Sequence, residues 1–222
     1  MTHAKILVAA LSISQAFSMT AGAESRKPGW LTAAPMSSPR ADHQAVLLAD
    51  GDVLVMGGVA GSTTSGPIRT AELYSPSNDK WTDLPSMNAS RTEFAAVLLL
   101  DGRVLATGGG GYNGTAQNSA EIFDPATLRW TPTAPMNLAR TGHTAVVLAD
   151  GRVLVAGGED ATGSITPSTE IFDPASGSWT PSAPMMMPRE GDAATLLNDG
   201  RVLIAGGHSD FFVAHASAEL FD

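Results

Sequence analysis

Residues 140–179 contain, in order, an apolar run, an Asp-Gly pair, a second apolar run ending in Gly-Gly, a polar loop, a third short run and a tryptophan, and the chain carries this unit four times. No other feature limits the fold so tightly. A fixed internal period means stacked copies of one supersecondary unit, none of which can bury its apolar faces alone. The first glycines of the pairs (Gly57, Gly108, Gly157 and Gly206) advance by 51, 49 and 49 residues, each followed by its partner Gly58, Gly109, Gly158 or Gly207. Trp30, Trp81, Trp130 and Trp179 advance by the same 51, 49 and 49. The units run roughly over 40–88, 91–137, 140–186 and 189–222, with residues 30–36 standing before the first.

Each unit reads as a four-stranded antiparallel sheet. Asp-Gly between two apolar runs predicts a hairpin with a two-residue turn. Residues 146–148 and 153–155 are apolar at successive positions, so these strands are expected to be covered on both faces. In a repeat protein the cover comes from neighbouring sheets. A third strand opens at Glu72, Glu121, Glu170 and Glu219, and the tryptophan begins a fourth, outer strand whose indole can pack between sheets.

Paired glycines, then an aromatic, then a tryptophan, at close to fifty residues per unit, resemble the kelch repeat. The resemblance covers residues 30–222, and its form over 140–158 is most similar to the bacterial and galactose-oxidase-type branch. It implies an all-β fold, a β-propeller of about four blades of four antiparallel strands. The chain opens with a fourth strand and closes on three, because the next tryptophan in phase would lie beyond Asp222. The expectation is therefore that residues 30–36 complete the last blade and remove its exposed edge. An open arc, or a homodimer in which two chains complete a larger ring, are the alternatives if the ring does not close alone.

The net charge of −9 lacks the basic footprint of a nucleic-acid-binding protein. Residues 6–19 are mostly apolar and are followed by Ala21, Gly22 and Ala23, which reads as a signal peptide over 1–23, a domain over 24–222, and a secreted or periplasmic location. No stretch is long and apolar enough for a comfortable membrane span. With no cysteine, stability must come from packing.

Arg40, Arg91, Arg140 and Arg189 recur before the first strand, and the four glutamates recur at the third. One active site does not need four copies, so these are expected to pair, or to cap backbone groups, within or between blades. Three residues after each arginine the units diverge into His43, Phe94, His143 and Asp192, with Glu93 adjacent to Phe94. Quasi-symmetry places them at equivalent points near one end of the central channel. His43, Glu93, His143 and Asp192 are the candidate binding residues there. The resemblance puts a copper-ligating histidine of galactose oxidase at the matching place, but that site also needs a tyrosine cross-linked to a cysteine, and this chain has no cysteine. No metal or cofactor is therefore assigned. The loop after each Gly-Gly differs in every unit, and variable loops on a fixed scaffold are the usual seat of recognition; Phe211 and Phe212 stand out among them. The expected function is a non-catalytic module binding a protein or a carbohydrate, more in keeping with these residues than an enzyme. The alternative is an exported carbohydrate-active enzyme, an oxidase or sugar isomerase, acting at the channel mouth.

Overall fold

The computed structural model describes residues 29–61, 66–111, 114–209 and 213–222. The signal-like segment, Phe211 and Phe212 lie outside them. Every strand pairing is antiparallel, and the described residues contain no helix.

The first unit contributes β1 (Arg40–Ala41), β2 (Gln44–Leu47), β3 (Val53–Met56), β4 (Val59–Ala60), β5 (Ala71–Ser75) and β6 (Lys80–Leu84). Its blade has the order β2-β3-β5-β6, while β1 pairs with β4. The second blade is β7 (Ala95–Leu98), β8 (Val104–Thr107), β9 (Ala120–Asp124) and β10 (Arg129–Pro132), and the third is β11 (Thr144–Val147), β12 (Val153–Ala156), β13 (Thr169–Asp173) and β14 (Ser178–Ser182). The fourth holds β15 (Glu190–Leu196), β16 (Val202–Ser209) and β18 (Ala218–Phe221), with β17 (Val213–Ala214) pairing the end of β16. The first strands line up in sequence, β2 against β7, β7 against β11 and β11 against β15.

The consecutive apolar residues are explained by this stacking. Successive side chains of a strand point to opposite faces, so Val104 packs towards the first blade and Leu105 towards the third. Val46, Leu54 and Met56 meet Phe94, Val104 and Phe123 at the first interface. Leu99, Leu105 and Ile122 meet Val153 and Phe172 at the second. Leu148, Leu154 and Ala156 meet Val202 and Ile204 at the third. Each large aliphatic or aromatic side chain buried this way contributes roughly 1.5–3 kcal/mol.

Two expectations need correction. The Asp-Gly hairpins are not two-residue turns. Leu48 C=O accepts from Gly51 N–H at 3.1 Å, and Leu48 N–H donates to Asp52 C=O at 2.8 Å. Only the glycine of this loop has positive φ, 93° at Gly51, which makes it the longer loop in which a turn is followed by one left-handed residue. Asp50 accepts the Asp52 N–H at 3.0 Å and stabilises that conformation locally.

The second correction concerns the ends. Residues 30–36 do not complete the fourth blade: β18 pairs only with β16, and Trp30 is 102% exposed. The reason is a set of bonds to the first blade. Ala34 N–H donates to Asp79 at 2.9 Å, the Trp81 indole N–H donates to Ala34 C=O at 2.8 Å, and Ser37 N–H donates to Glu72 at 2.7 Å. Residues 34–37 thus occupy the place that the inter-blade connectors hold on later blades. The described blades form an open arc.

Candidate functional site

The recurrent residues are consumed inside the scaffold. Arg140 is 0% exposed. Its guanidinium donates to Gly157 C=O at 2.7 Å, Ser168 C=O at 3.1 Å and Glu170 at 3.0 Å. Glu170 also accepts the backbone N–H groups of Asn137 and Leu138 at 2.7 and 3.0 Å. One ion pair therefore ties the start of the blade, the Gly-Gly turn, the third strand and the preceding connector together. Arg40–Glu72, Arg91–Glu121 and Arg189–Glu219 repeat it at 2.6, 3.1 and 3.0 Å. Burial alone would raise the Glu170 carboxyl, but hydrogen bonds from Asn137, Leu138 and Arg140 outweigh it and hold it below its ordinary value.

The paired glycines allow blades to touch backbone to backbone. Gly109 N–H donates to Arg140 C=O of the next blade at 2.8 Å, as Gly58 does to Arg91 and Gly158 to Arg189, each at 2.7 Å. A Cβ on Gly108 would stand 2.5 Å from that same Arg140 oxygen and 2.7 Å from the His143 ring.

Just inside this contact runs a second row of bonds. Glu93 N–H donates to Asp42 C=O, Gly142 N–H to Glu93 C=O and Gly191 N–H to Gly142 C=O, at 3.4, 2.8 and 3.1 Å. Asp42, Glu93, Gly142 and Gly191 all have positive φ, between 51° and 66°. This left-handed residue, two positions after each arginine, turns the chain so that the next side chain enters an inter-blade slot.

That turn decides the fate of the candidate residues. Phe94 is buried against Gly57, and His143 is buried against Gly108 with its Nε2 2.9 Å from the Thr107 hydroxyl. Burial, and then the positive charges of Arg140 and Arg91, push the His143 imidazole well below its usual value, so it is neutral. His43 is also lowered, by burial and then by Arg40. The two histidines serve different blades and do not meet, and among the described residues no three His, Asp or Glu side chains are grouped to hold a metal ion. Asp192 occupies the equivalent slot between the third and fourth blades. It is too short to reach Gly157, whose nearest neighbours are Arg189 and Met185, and both its carboxylate oxygens lack a partner. Burial pushes its pKa up to about 6.

Two glutamates stand at the same edge. Glu93 lies at a long 3.5 Å from the Thr141 hydroxyl. Glu190, 7% exposed, places its carboxylate beside Gly142 and 3.9 Å from His208. Sequence reasoning passed over Glu190. The signal was available: the residue after each arginine is Ala41, Thr92, Thr141 and then an acid. The variable loops rise from the same edge. Each folds back as a narrow hairpin, through Val59–Pro67, Gly110–Ala116, Glu159–Ile165 and His208–Ala214 pairings. Each is also pinned at its base to the residue after the arginine, Ala41 to Val59, Thr92 to Gly110, Thr141 to Glu159 and Glu190 to His208. In the third loop Asp160 accepts from Thr162 N–H at 2.7 Å and from Ser164 N–H at 3.2 Å, which orders the tip. Four loops of unlike sequence therefore stand side by side beside the mouth residues.

Antiparallel blades stacked face to face, with first strands inward and connecting hairpins on one edge, define a β-propeller protein. The chain belongs to the kelch family: the Kelch motif matches residues 41–88, 91–137 and 139–186, more than half of the sequence. The unit over 189–222 lies beyond those matches, yet its Arg189 makes the same bonds to Glu219 and to Gly206 C=O. The structure is similar to that of YjhT, with a TM-score of 0.70 and 19% identity over 81% of this chain and 63% of that one. This chain thus covers less than two thirds of the length of that protein. No curated protein matches the sequence. Kelch repeats on a propeller make a binding or scaffold module, and no helix among the described residues is long and apolar enough to cross a membrane.

Proposed function

We propose that this chain is an exported binding module that holds a protein or carbohydrate ligand with its four edge loops and the adjoining mouth residues. One observation carries the reading. The repeated side chains are spent on the scaffold, whereas the residues that differ between units rise together along a single edge. The His143 ring is enclosed and neutral and Asp192 is sunk in a slot, so neither offers an acid or base to a ligand outside. The test is a glycan and protein ligand screen with the full chain, repeated after residues 160–164 are replaced by a short Gly-Ser link. The expected result is a captured ligand whose affinity falls about tenfold or more in the variant with unchanged thermal stability. Catalytic turnover of a sugar by the purified chain would overturn the reading.

Export rests on the apolar run over 6–19 and the small residues at 21–23. Expressed in a bacterium, the chain is expected outside the cytoplasm with a mature terminus at Glu24. A cytoplasmic product retaining Met1 would refute this part.

A further inference from the structure

A cavity of about 210 Å³ opens on the outer part of the second blade, lined by Arg103, Ile122, Asp124, Thr127, Arg129 and Thr131. All of these residues belong to that blade or to its turns. Ile122 packs towards the third blade and Thr131 stands opposite it in register, as Arg129 stands opposite Asp124, so the cavity lies on the face turned to that neighbour. Its volume exceeds the roughly 150 Å³ that admits a benzene-sized guest. Arg103 and Thr127 sit at turns on the edge opposite the variable loops, which separates this place from the loop edge.

Most of the described cations already have a carboxylate. Arg40, Arg91, Arg140 and Arg189 pair with the recurrent glutamates. Arg103, Arg152 and Arg201 pair with Asp101, Asp150 and Asp199, each at 2.6 Å. Among the described residues Arg69, Lys80 and Arg129 make no ion pair, and Arg129 is the one that lines this cavity. Asp124 does not claim it, because its Oδ1 accepts the Ala126 N–H at 2.9 Å. Arg103 gives its Nε and one terminal nitrogen to Asp101 and keeps the N–H groups of the other. The Thr127 and Thr131 hydroxyls have no partner among the described residues. Four side chains with unused donors therefore line one space. The combination is particular to this blade. The first unit has Asp52 and Lys80 at the positions of Arg103 and Arg129, and the third has Arg152 and Ser178. The repeat thus does not require a second arginine here.

We propose that this cavity binds a tetrahedral oxyanion, the sulfate or phosphate group of an ester. The planar fork of the Arg129 guanidinium matches two oxygens of such a group. Arg103 and the two threonine hydroxyls supply donors for the remaining oxygen and for second lone pairs. Donors on four side chains suit three terminal oxygens better than the two of a carboxylate. Ile122 and Pro132 give the apolar wall against which the carbon skeleton of the ester packs. The Asp124 charge in the wall opposes the anion and keeps the free ion weakly bound. This site goes beyond the loop-edge reading and shares no residue with it, so either stands without the other.

The experiment is an NMR titration of the isotope-labelled full chain with sodium sulfate and, separately, sodium phosphate, at an ionic strength held constant with chloride. The expected result is saturable shifts of the Arg129 and Thr131 amides with a Kd of about 1–10 mM for the free ion. Binding is expected to weaken about tenfold or more in R129Q, with R129K in between, because lysine keeps the charge but not the fork. Arg129 is exposed and holds no ion pair, so neither change disturbs the fold. A sugar sulfate and a sugar phosphate are titrated next, and the ester that binds more tightly than its free ion identifies the source. Shifts that do not saturate by about 100 mM overturn the proposal, as does equal binding by R129Q. Esters that bind no more tightly than the free ions overturn it too, since the cavity would then hold an adventitious ion only.

Discussion

Arg140→Ala is expected to destabilise the protein by about 3–5 kcal/mol, the usual cost of removing one partner of a buried ion pair. The variant deletes the bonds to Gly157, Ser168 and Glu170 at once, although Ser168 C=O keeps the Gly157 N–H at 3.1 Å. Urea denaturation of both forms measures it. The blades supply an internal control. Glu219 is 18% exposed at its side chain where Glu170 is 3%, so water can replace part of the lost pairing and Arg189→Ala is expected to cost less than Arg140→Ala. An apolar exchange does not repair the first variant. Arg140→Met with Glu170→Leu removes the unpaired charge, but it strands the Asn137 and Leu138 N–H groups that the carboxylate accepts. A double variant as stable as the parent would show that the carboxylate's capping of the connector contributes little.

The second large effect is tied to pH. Asp192 is sunk in its slot without a hydrogen-bond partner, and burial raises its pKa from 3.8 to about 6. A raised carboxyl means that the folded chain binds the proton more tightly than the unfolded chain. Its contribution is therefore most unfavourable above pH 6 and is relieved as pH falls towards 4. The difference corresponds to ~3 kcal/mol at neutral pH and above. Asp192→Asn removes the charge, though its amide still lacks a partner, so a gain of about 2 kcal/mol is expected at pH 8 and almost none at pH 4. Glu170 behaves oppositely. Its lowered carboxyl contributes above the unfolded value and loses that contribution as pH falls through the folded one. Stability of the parent against pH should therefore pass through a maximum in mildly acid solution, and the maximum should broaden towards alkaline pH in D192N. Equal gains at pH 4 and pH 8 would show that Asp192 is not charged in the folded chain.

The blades were legible because the signal was repeated. Consecutive apolar residues such as Val153, Leu154 and Val155 are ambiguous once, but in phase at each unit they can only be strands covered on both faces. The arginines and glutamates were legible for the same reason, since recurrence assigns them to the scaffold. The hairpin loop was misread because Asp-Gly suits two loop lengths, and which one forms depends on where the strands on either side begin to pair. The candidate site was legible as a place, but not as a set of chemical groups. His143 and Asp192 share a position, and the left-handed residue ahead of each turns both into the gap between blades rather than into a common space. Whether such a residue is satisfied then depends on a neighbour in the previous unit. Thr107 answers the Nε2 of His143, whose Nδ1 has no partner, while the corresponding Ala156 has no hydroxyl to offer Asp192. Residues 30–36 carry the tryptophan of a fourth strand, but no strand forms there. Their destination depended on the curvature of the stack, which no local pattern records.

Three recurring kinds of bond between blades have one further consequence. Gly-Gly to arginine carbonyl, left-handed residue to left-handed residue, and indole to connector each span a single junction and none skips a neighbour. A blade therefore needs only an adjoining blade to be complete, whatever its rank in the series. Genes built this way can gain or lose whole modules by unequal recombination, and the surviving junctions would keep these recurring bonds whatever side chain fills each slot.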